Sequence, residues 1–69
     1  MTIIHTHSSG RRIPHPGNWW ALRVFARILQ QEGRLTAAGS TIVQGAYRAD
    51  HPRFGTIQVH RGDILTRRS

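Results

Sequence analysis

Residues 17–33 read GNWWALRVFARILQQEG and carry the clearest helical pattern of the chain. At about 100° per residue, the apolar side chains fall within one broad arc, whereas Arg23 and Arg27 lie opposite it. Asn18 is a favourable N-cap and Gly33 a favourable stop, so we predict a helix over about residues 19–32. Its buried face is expected to contain Ala21, Leu22, Val24, Phe25, Ile28 and Leu29.

Two adjacent tryptophans open this helix, and neighbouring residues on a helix cannot both face the same core. Trp20 falls on the border of the apolar arc, so we predict that it lies at the rim of the core. Trp19 points to the polar side, one turn before Arg23. We therefore expect Trp19 outside the core or beneath the segment that precedes the helix.

The segments on either side of the helix have strand and turn patterns. Residues 2–6 (TIIHT) form a β-branched run, which predicts a strand. Residues 7–17 contain two prolines, which cannot donate to a sheet, so we expect a loop or an extended arm. Residues 41–47 and 54–60 are predicted strands, paired as a hairpin around a turn at residues 49–53.

These patterns predict a single small α+β domain over residues 1–69, with a basic tail at residues 66–69. The predicted order is β-α-β-β, with one amphipathic helix packed on a three- or four-stranded antiparallel sheet. The alternative is a winged helix-turn-helix, in which residues 35–47 form a second helix. Gly39 and Gly45 each disfavour that helix by up to about 1 kcal/mol relative to Ala.

The charge balance is the strongest global feature of the composition. Ten basic residues stand against three acidic ones, which gives a formal net charge of +7 at pH 7, and every basic residue is Arg. Arg has a planar fork of donors that suits phosphate, and an excess of this size favours a polyanionic partner. The choice of Arg over Lys also fits a GC-rich genome, so the net charge carries more weight than the residue type.

We therefore expect a small basic protein that binds nucleic acid, either DNA or RNA, without catalysis, mainly through contacts from Arg to phosphate. Arg23 and Arg27 share one ridge of the helix, and Trp19 beside Arg23 is placed to stack on a base. The full set of predicted nucleic-acid-binding residues is Arg23, Arg27, Arg34, Arg11, Arg12 and Trp19.

The alternative function is a small protein of the kind that phages and plasmids encode, which binds and modulates a host protein with an acidic surface. Trp19, Tyr47 and Phe54 are the predicted anchors, together with Arg, because Trp, Tyr and Arg are enriched at interface hot spots. An edge strand of the sheet is also a candidate for pairing with a second copy in a homodimer.

The histidines are weaker candidates for chemistry. His5 and His7 would share one face of a strand, and His15 could join them. A structural zinc site normally has four ligands, usually with Cys, and the chain has no Cys. We therefore expect no metal site and no other cofactor.

Catalytic residues are not predicted either. The available His–Asp pairs are Asp50 with His51 and His60 with Asp63, and a chain this short has little room for a pocket that excludes water. A small ribonuclease-like toxin centred on His60 and Arg61 is the enzymatic alternative. The apolar runs are too short to span a bilayer and the N-terminus lacks a secretory pattern, so we expect a cytoplasmic protein without a membrane partner.

Overall fold

The computed structural model describes residues 2–32 and 39–68. These residues form one helix and antiparallel sheets, which confirms the prediction of a small α+β domain. In chain order the elements are β1 (Thr2–Thr6), β2 (Arg12–Ile13), α1 (Asn18–Gln31), β3 (Gly39–Ile42), β4 (Tyr47–His51), β5 (Gly55–Val59) and β6 (Ile64–Arg68). The observed order thus has more strands than the predicted β-α-β-β arrangement.

The strands form two sheets. Four of them are hydrogen-bonded in the order β2-β1-β6-β3, and β4 and β5 form a separate hairpin. The first and last strands are therefore neighbours, with His5 opposite Leu65. Because β1 and β6 are the two central strands of this sheet, side chains that lie far apart along the sequence meet beside β1.

Helix α1 buries the face that its sequence pattern predicts. Ala21, Phe25, Ile28 and Leu29 are buried, at a spacing that places them on one side of the helix. Trp20, Leu22 and Val24 are half-buried and pack against this core. The rest of the described core comes from strands of both sheets and from Val43, which follows β3. It consists of Ile3, Val43, Ile57, Val59 and Leu65.

The start of the helix differs from the prediction. Asn18 is the first helical residue, so Gly17 occupies the N-cap position and no side chain caps the first turn. Gly17 has φ 71°, and a Cβ at this position would lie 2.7 Å from the ring of Phe54. A left-handed backbone and a close approach therefore both require glycine here. The predicted stop at Gly33 lies outside the described residues.

The first strand of the predicted hairpin is wrong. Strand β5 pairs with β4, so residues 49–51 belong to a strand and the turn lies at residues 52–54. The β-branched residues near Thr41 instead form β3 at the edge of the larger sheet, with Thr41 opposite Leu65. Residues 43–46 lie outside both strands, so they separate β3 from β4, which the sequence pattern had merged.

Other segments also depart from the predicted boundaries. Residues 39–42, which belong to the second helix of the winged helix-turn-helix alternative, form a strand, and residues 35–38 lie outside the described residues. Residues 12–13 of the predicted arm form β2, and residues 66–68 of the predicted tail lie in β6. Within the described part of the chain, no helix has the length and apolar character needed to span a bilayer.

Candidate functional site

The predicted phosphate-binding arginines are exposed wherever the structure describes them. Arg11 lies just before β2 and Arg12 is its first residue, whereas Arg23 and Arg27 lie on the outer side of α1. Arg34 lies outside the described residues. Exposure leaves these guanidinium groups accessible, but their positions divide them between two separate surfaces.

The first surface is a groove between α1 and β4, which we call the helix–hairpin groove. Arg27 reaches it from the helix and Arg48 from the hairpin, and the cavity between them has a volume of about 90 Å³. Arg48 is exposed because it alternates along β4 with the half-buried Tyr47 and Ala49. The groove is lined by Val24, Arg27, Ile28, Gln31, Tyr47, Arg48 and Ala49.

The carboxylates do little to neutralise the positive surface. Asp63 is fully buried, and Glu32 is half-buried and accepts a hydrogen bond of 2.7 Å from the backbone N–H of Gln44. Asp50 is the exposed acidic residue, and it pairs with Arg48 at 3.3 Å. Because both groups of that pair are well exposed to solvent, the pair is weak and leaves Arg48 accessible to a phosphate.

Of the predicted aromatic anchors, Trp19 is the most exposed to solvent, with 81% of its surface accessible. Trp20 lies at the rim of the core as predicted, with its ring 5.2 Å from that of His51 and 6.3 Å from that of Phe54. Phe54 is therefore a half-buried part of an aromatic cluster. Tyr47 is half-buried and packs against the core, on the wall of the helix–hairpin groove.

The predicted pair of Asp50 and His51 has a local structural role. Nδ1 of His51 accepts hydrogen bonds from the backbone N–H groups of Arg53 and Phe54, at 3.0 and 3.1 Å, and so fixes the turn between β4 and β5. Asp50 instead accepts a bond of 2.7 Å from the hydroxyl of Thr56. The two side chains of this pair therefore point to different partners.

Three titratable side chains are linked by hydrogen bonds, and we call them the Asp–His–His chain. They are Asp63 in the loop between β5 and β6, His5 in β1 and His15 in the loop between β2 and α1. Nε2 of His5 lies 2.7 Å from Oδ2 of Asp63, and Nδ1 of His5 lies 2.9 Å from Nε2 of His15. The two imidazole centroids are 5.0 Å apart and the ring planes differ by 16°. The ring planes are therefore nearly parallel, and the N···N distance of 2.9 Å is that of a hydrogen bond.

Asp63 anchors this chain in the loop between β5 and β6. Its carboxylate also accepts hydrogen bonds from the backbone N–H of His60 at 3.0 Å and of Ser8 at 3.3 Å. The available pair of His60 and Asp63 is not an imidazole–carboxylate pair, because His60 contributes its backbone N–H and the bonded imidazole is that of His5. The His60 side chain is exposed.

The surroundings shift the pKa values at both ends of the Asp–His–His chain. Burial by itself would raise the pKa of Asp63, but the hydrogen bonds from His5, His60 and Ser8 together hold it below its ordinary value of 3.8. The pKa of His15 is lowered from 6.5, first because burial penalises its charged form and second because His5 lies beside it. The pKa shifts therefore favour an ionised Asp63 and a neutral His15 near neutral pH.

The hydrogen-bond partners fix the tautomers of the chain when both imidazoles are neutral. An ionised Asp63 can only accept, so Nε2–H of His5 donates to it. Nδ1 of His5 then accepts from Nε2–H of His15, which leaves a lone pair on Nδ1 of His15. His15 is half-buried, whereas His5 and Asp63 are buried, so His15 is the outer member of the Asp–His–His chain.

The Asp–His–His chain opens on a second depression, which we call the β1–β2 groove. It has a volume of about 330 Å³, and Arg12 and Asn18 supply polar groups beside His15. The groove is lined by Ile3, Ile4, His5, Arg12, Ile13, Pro14, His15 and Asn18. Arg12 and Arg27 thus line different grooves.

The histidines that the sequence offers as metal ligands have other partners. His5 and His15 are bonded directly to each other, and Nδ1 of His7 is 2.9 Å from the hydroxyl of Ser9. Across residues 2–32 and 39–68, no group of three or more His, Cys, Asp or Glu side chains is arranged to hold a metal ion.

We expect the stability of the domain to fall in two stages as the pH is lowered. A lowered pKa means that the folded state binds fewer protons than the unfolded state, so stability falls as the pH drops below the unfolded pKa, 6.5 for His15 and 3.8 for Asp63. Urea unfolding from pH 8 to pH 3 measures both stages. The upper stage should be smaller in His15→Gln, and a wild-type curve that is flat between pH 7.5 and pH 4.5 would contradict the role of His15.

Comparisons with known proteins give no relative for this chain: no protein-family model, no curated protein and no solved structure matches it.

Proposed function

We propose that the protein binds nucleic acid through the helix–hairpin groove, with Arg27 and Arg48 on the phosphates and no chemistry at that surface. The observation that carries the proposal is that these two arginines come from different elements and line the same groove. Arg23 extends the positive ridge by one turn of α1. A nucleic-acid backbone requires positive charge along a path, and this arrangement supplies one.

Charge accessibility supports the same proposal. Of the three carboxylates, that of Asp63 is buried and that of the half-buried Glu32 accepts a hydrogen bond from backbone, whereas Arg23, Arg27 and Arg48 are exposed. Asp50 is therefore the one carboxylate that is as exposed as these arginines. Tyr47 on the groove wall and the exposed Trp19 are aromatic surfaces on which unpaired bases can stack.

The double variant Arg27→Ala/Arg48→Ala is expected to weaken binding by at least about tenfold at low salt, because each guanidinium makes a charge-assisted hydrogen bond to phosphate. The dependence of log affinity on log salt should also become shallower by about two, one for each phosphate that is no longer neutralised. Fluorescence anisotropy with a labelled DNA duplex and a labelled single-stranded RNA across a salt series measures both effects. The protein must first be freed of copurified nucleic acid by nuclease treatment and high salt.

The matched control is Arg61→Ala/Arg68→Ala, which removes the same net charge from exposed positions outside the groove. We expect this control to retain most of the affinity and the steep salt dependence. Equal losses in the two double variants would mean that charge alone determines binding and would exclude the groove as the site. Loss of all wild-type binding at physiological salt would refute the proposed function.

A second candidate function is supported by Trp19, whose indole is 81% exposed at the start of α1. An exposed Trp next to Arg residues is a typical anchor for a protein partner, here one with an acidic surface. This candidate predicts that Trp19→Ala abolishes capture of that partner while nucleic-acid affinity is unchanged. The two functions differ in their readout, because stacking on bases would make Trp19→Ala weaken RNA binding more than duplex binding.

A further inference from the structure

The Asp–His–His chain has the form of an activated base, and nothing in the proposed binding surface uses it. A carboxylate that holds an imidazole fixes its tautomer and stabilises the charge that forms when the outer group takes up a proton. Here the carboxylate of Asp63 is hydrogen-bonded to the imidazole of His5, which is in turn hydrogen-bonded to the imidazole of His15. A proton that arrives at Nδ1 of His15 therefore places a positive charge within a hydrogen-bonded chain that ends in a carboxylate.

The β1–β2 groove gives this base a site for a substrate. Arg12 is exposed and lines the same groove as His15, so a phosphate there would meet a cation and a neutral base together. Asn18 adds an amide on the groove wall. Apart from His5, the remaining lining is apolar, as is the greater part of most ligand-binding pockets.

We propose that His15 is a catalytic general base that cleaves RNA phosphodiester bonds in the β1–β2 groove, with Arg12 on the phosphate; this rests on the proposed function, which supplies the nucleic acid. Nδ1 of His15 accepts the proton of a ribose 2′-hydroxyl, the 2′-oxygen bonds to the adjacent phosphorus, and the bond from phosphorus to the 5′-oxygen breaks. The leaving 5′-oxygen takes a proton from water, and His15 releases its proton to solvent. The products are a 2′,3′-cyclic phosphate and a 5′-hydroxyl.

RNA is the substrate class because it carries its own nucleophile. The 2′-hydroxyl is already fixed beside the phosphorus it attacks, so a single positioned base supplies the main missing element. DNA has no such hydroxyl and should be bound without being cleaved. Arg12 would stabilise the negative charge that develops on the non-bridging oxygens.

Cleavage should depend on pH through the neutral form of His15. The titratable or charged groups that face His15 in the described structure are His5 and Asp63 in the chain and Arg12 in the groove. Burial and His5 lower the pKa of His15, so the rate should rise with pH and be half-maximal at a pH below 6.5. His15 is therefore expected to be in its active form at neutral pH.

The test uses the full chain and a labelled DNA oligonucleotide that contains one internal ribonucleotide. We expect wild type to cut after that nucleotide in the presence of a chelator and to leave a 2′,3′-cyclic phosphate detectable by mass spectrometry. His15→Gln should cut at least about 100-fold more slowly, the lower range for removal of a general base. Arg12→Ala, an exposed change that keeps the fold, should cut at least about tenfold more slowly because the phosphate then has no cation beside it.

His7→Gln is the matched histidine control, because His7 lies in the same N-terminal segment and bonds Ser9 rather than a member of the Asp–His–His chain. It should cut at the wild-type rate, and an all-DNA oligonucleotide should stay intact. Equal cutting by wild type and His15→Gln would indicate a contaminating nuclease and overturn the inference. Binding without any cutting would also overturn it while leaving the proposed function standing. Cutting with a KM that Arg27→Ala/Arg48→Ala does not alter would instead refute the proposed binding surface alone.

Discussion

Asp63→Ala is expected to lower the free energy of unfolding by about 3–5 kcal/mol, because each buried polar group that loses its hydrogen-bond partner costs about 1–3 kcal/mol. The carboxylate is fully buried and accepts bonds from His5, His60 and Ser8. Its removal leaves one buried imidazole N–H and two part-buried backbone N–H groups without this acceptor. A domain of 69 residues has a total stability of only about 3–10 kcal/mol, so the variant should be largely unfolded at 37 °C.

Urea unfolding followed by circular dichroism measures this loss, and Asp50→Ala provides the control. Asp50 is exposed, and its pair with Arg48 is open to solvent, so the control should remain within about 0.5 kcal/mol of wild type. Asp63→Asn should lie between the two, because an amide oxygen still accepts but its NH₂ group faces donors. A loss below 1 kcal/mol in Asp63→Ala would mean that the three bonds do not stabilise the fold.

The helix was predictable because its information is local. The spacing of Ala21, Phe25, Ile28 and Leu29 defines a buried face whatever the helix packs against, and those four residues are buried. The same reasoning placed Trp20 at the rim and Trp19 outside. The N-cap was missed because Asn18 is a good cap by composition, whereas the position is decided by the contact between Gly17 and Phe54.

The strand pairing was less predictable because it depends on the chain crossing between two sheets. Residues 41–47 read as one β-branched run, and periodicity alone cannot show that it divides between β3 and β4. The burial of Val43 and its bond to the carbonyl of Asp63 keep the end of β3 on the larger sheet. Contacts of this kind are set by tertiary packing rather than by propensity.

The Asp–His–His chain was missed for a related reason. His5 and Asp63 are 58 positions apart, and they meet because β1 pairs with β6. The sequence suggested His60 as the partner of Asp63, since the two are close along the chain. A signal was present, however, because His5 lies two residues after the apolar Ile3 on β1. The two side chains therefore share the face that points into the core, where an imidazole needs a polar partner.

The arginine surface was predicted in part. The ridge of Arg23 and Arg27 follows from helical spacing, and both side chains are exposed. Arg48 lines the groove because it lies in β4, which pairs with β5. The predicted hairpin had instead placed Arg48 just after its first strand. Arg12 reached a different groove because the segment predicted as an arm forms β2 against β1. Exposure was thus predictable from residue type, whereas convergence required the topology.

Phe25→Ala is expected to lower the free energy of unfolding by about 3–5 kcal/mol, the range for truncation of a large buried aromatic side chain. Phe25 is 2% exposed and lies at the centre of the face that α1 turns toward both sheets. Removal of the ring would leave a cavity next to Ile3, Ile57 and Leu65, which are fixed by strands and cannot collapse into it. Thermal and urea unfolding both measure the loss of stability.

Trp19→Ala is the informative comparison for Phe25→Ala, because it removes a larger ring from the same helix at a position that is 81% exposed. It should change the free energy of unfolding by less than about 0.5 kcal/mol. Equal losses would show that the helix packs through its other face and would undermine both grooves. If Phe25→Ala alone unfolds the domain, the buried face of α1 fixes the position of the helix. The packing of that face against the strands then also holds Arg27 and His15 at their grooves.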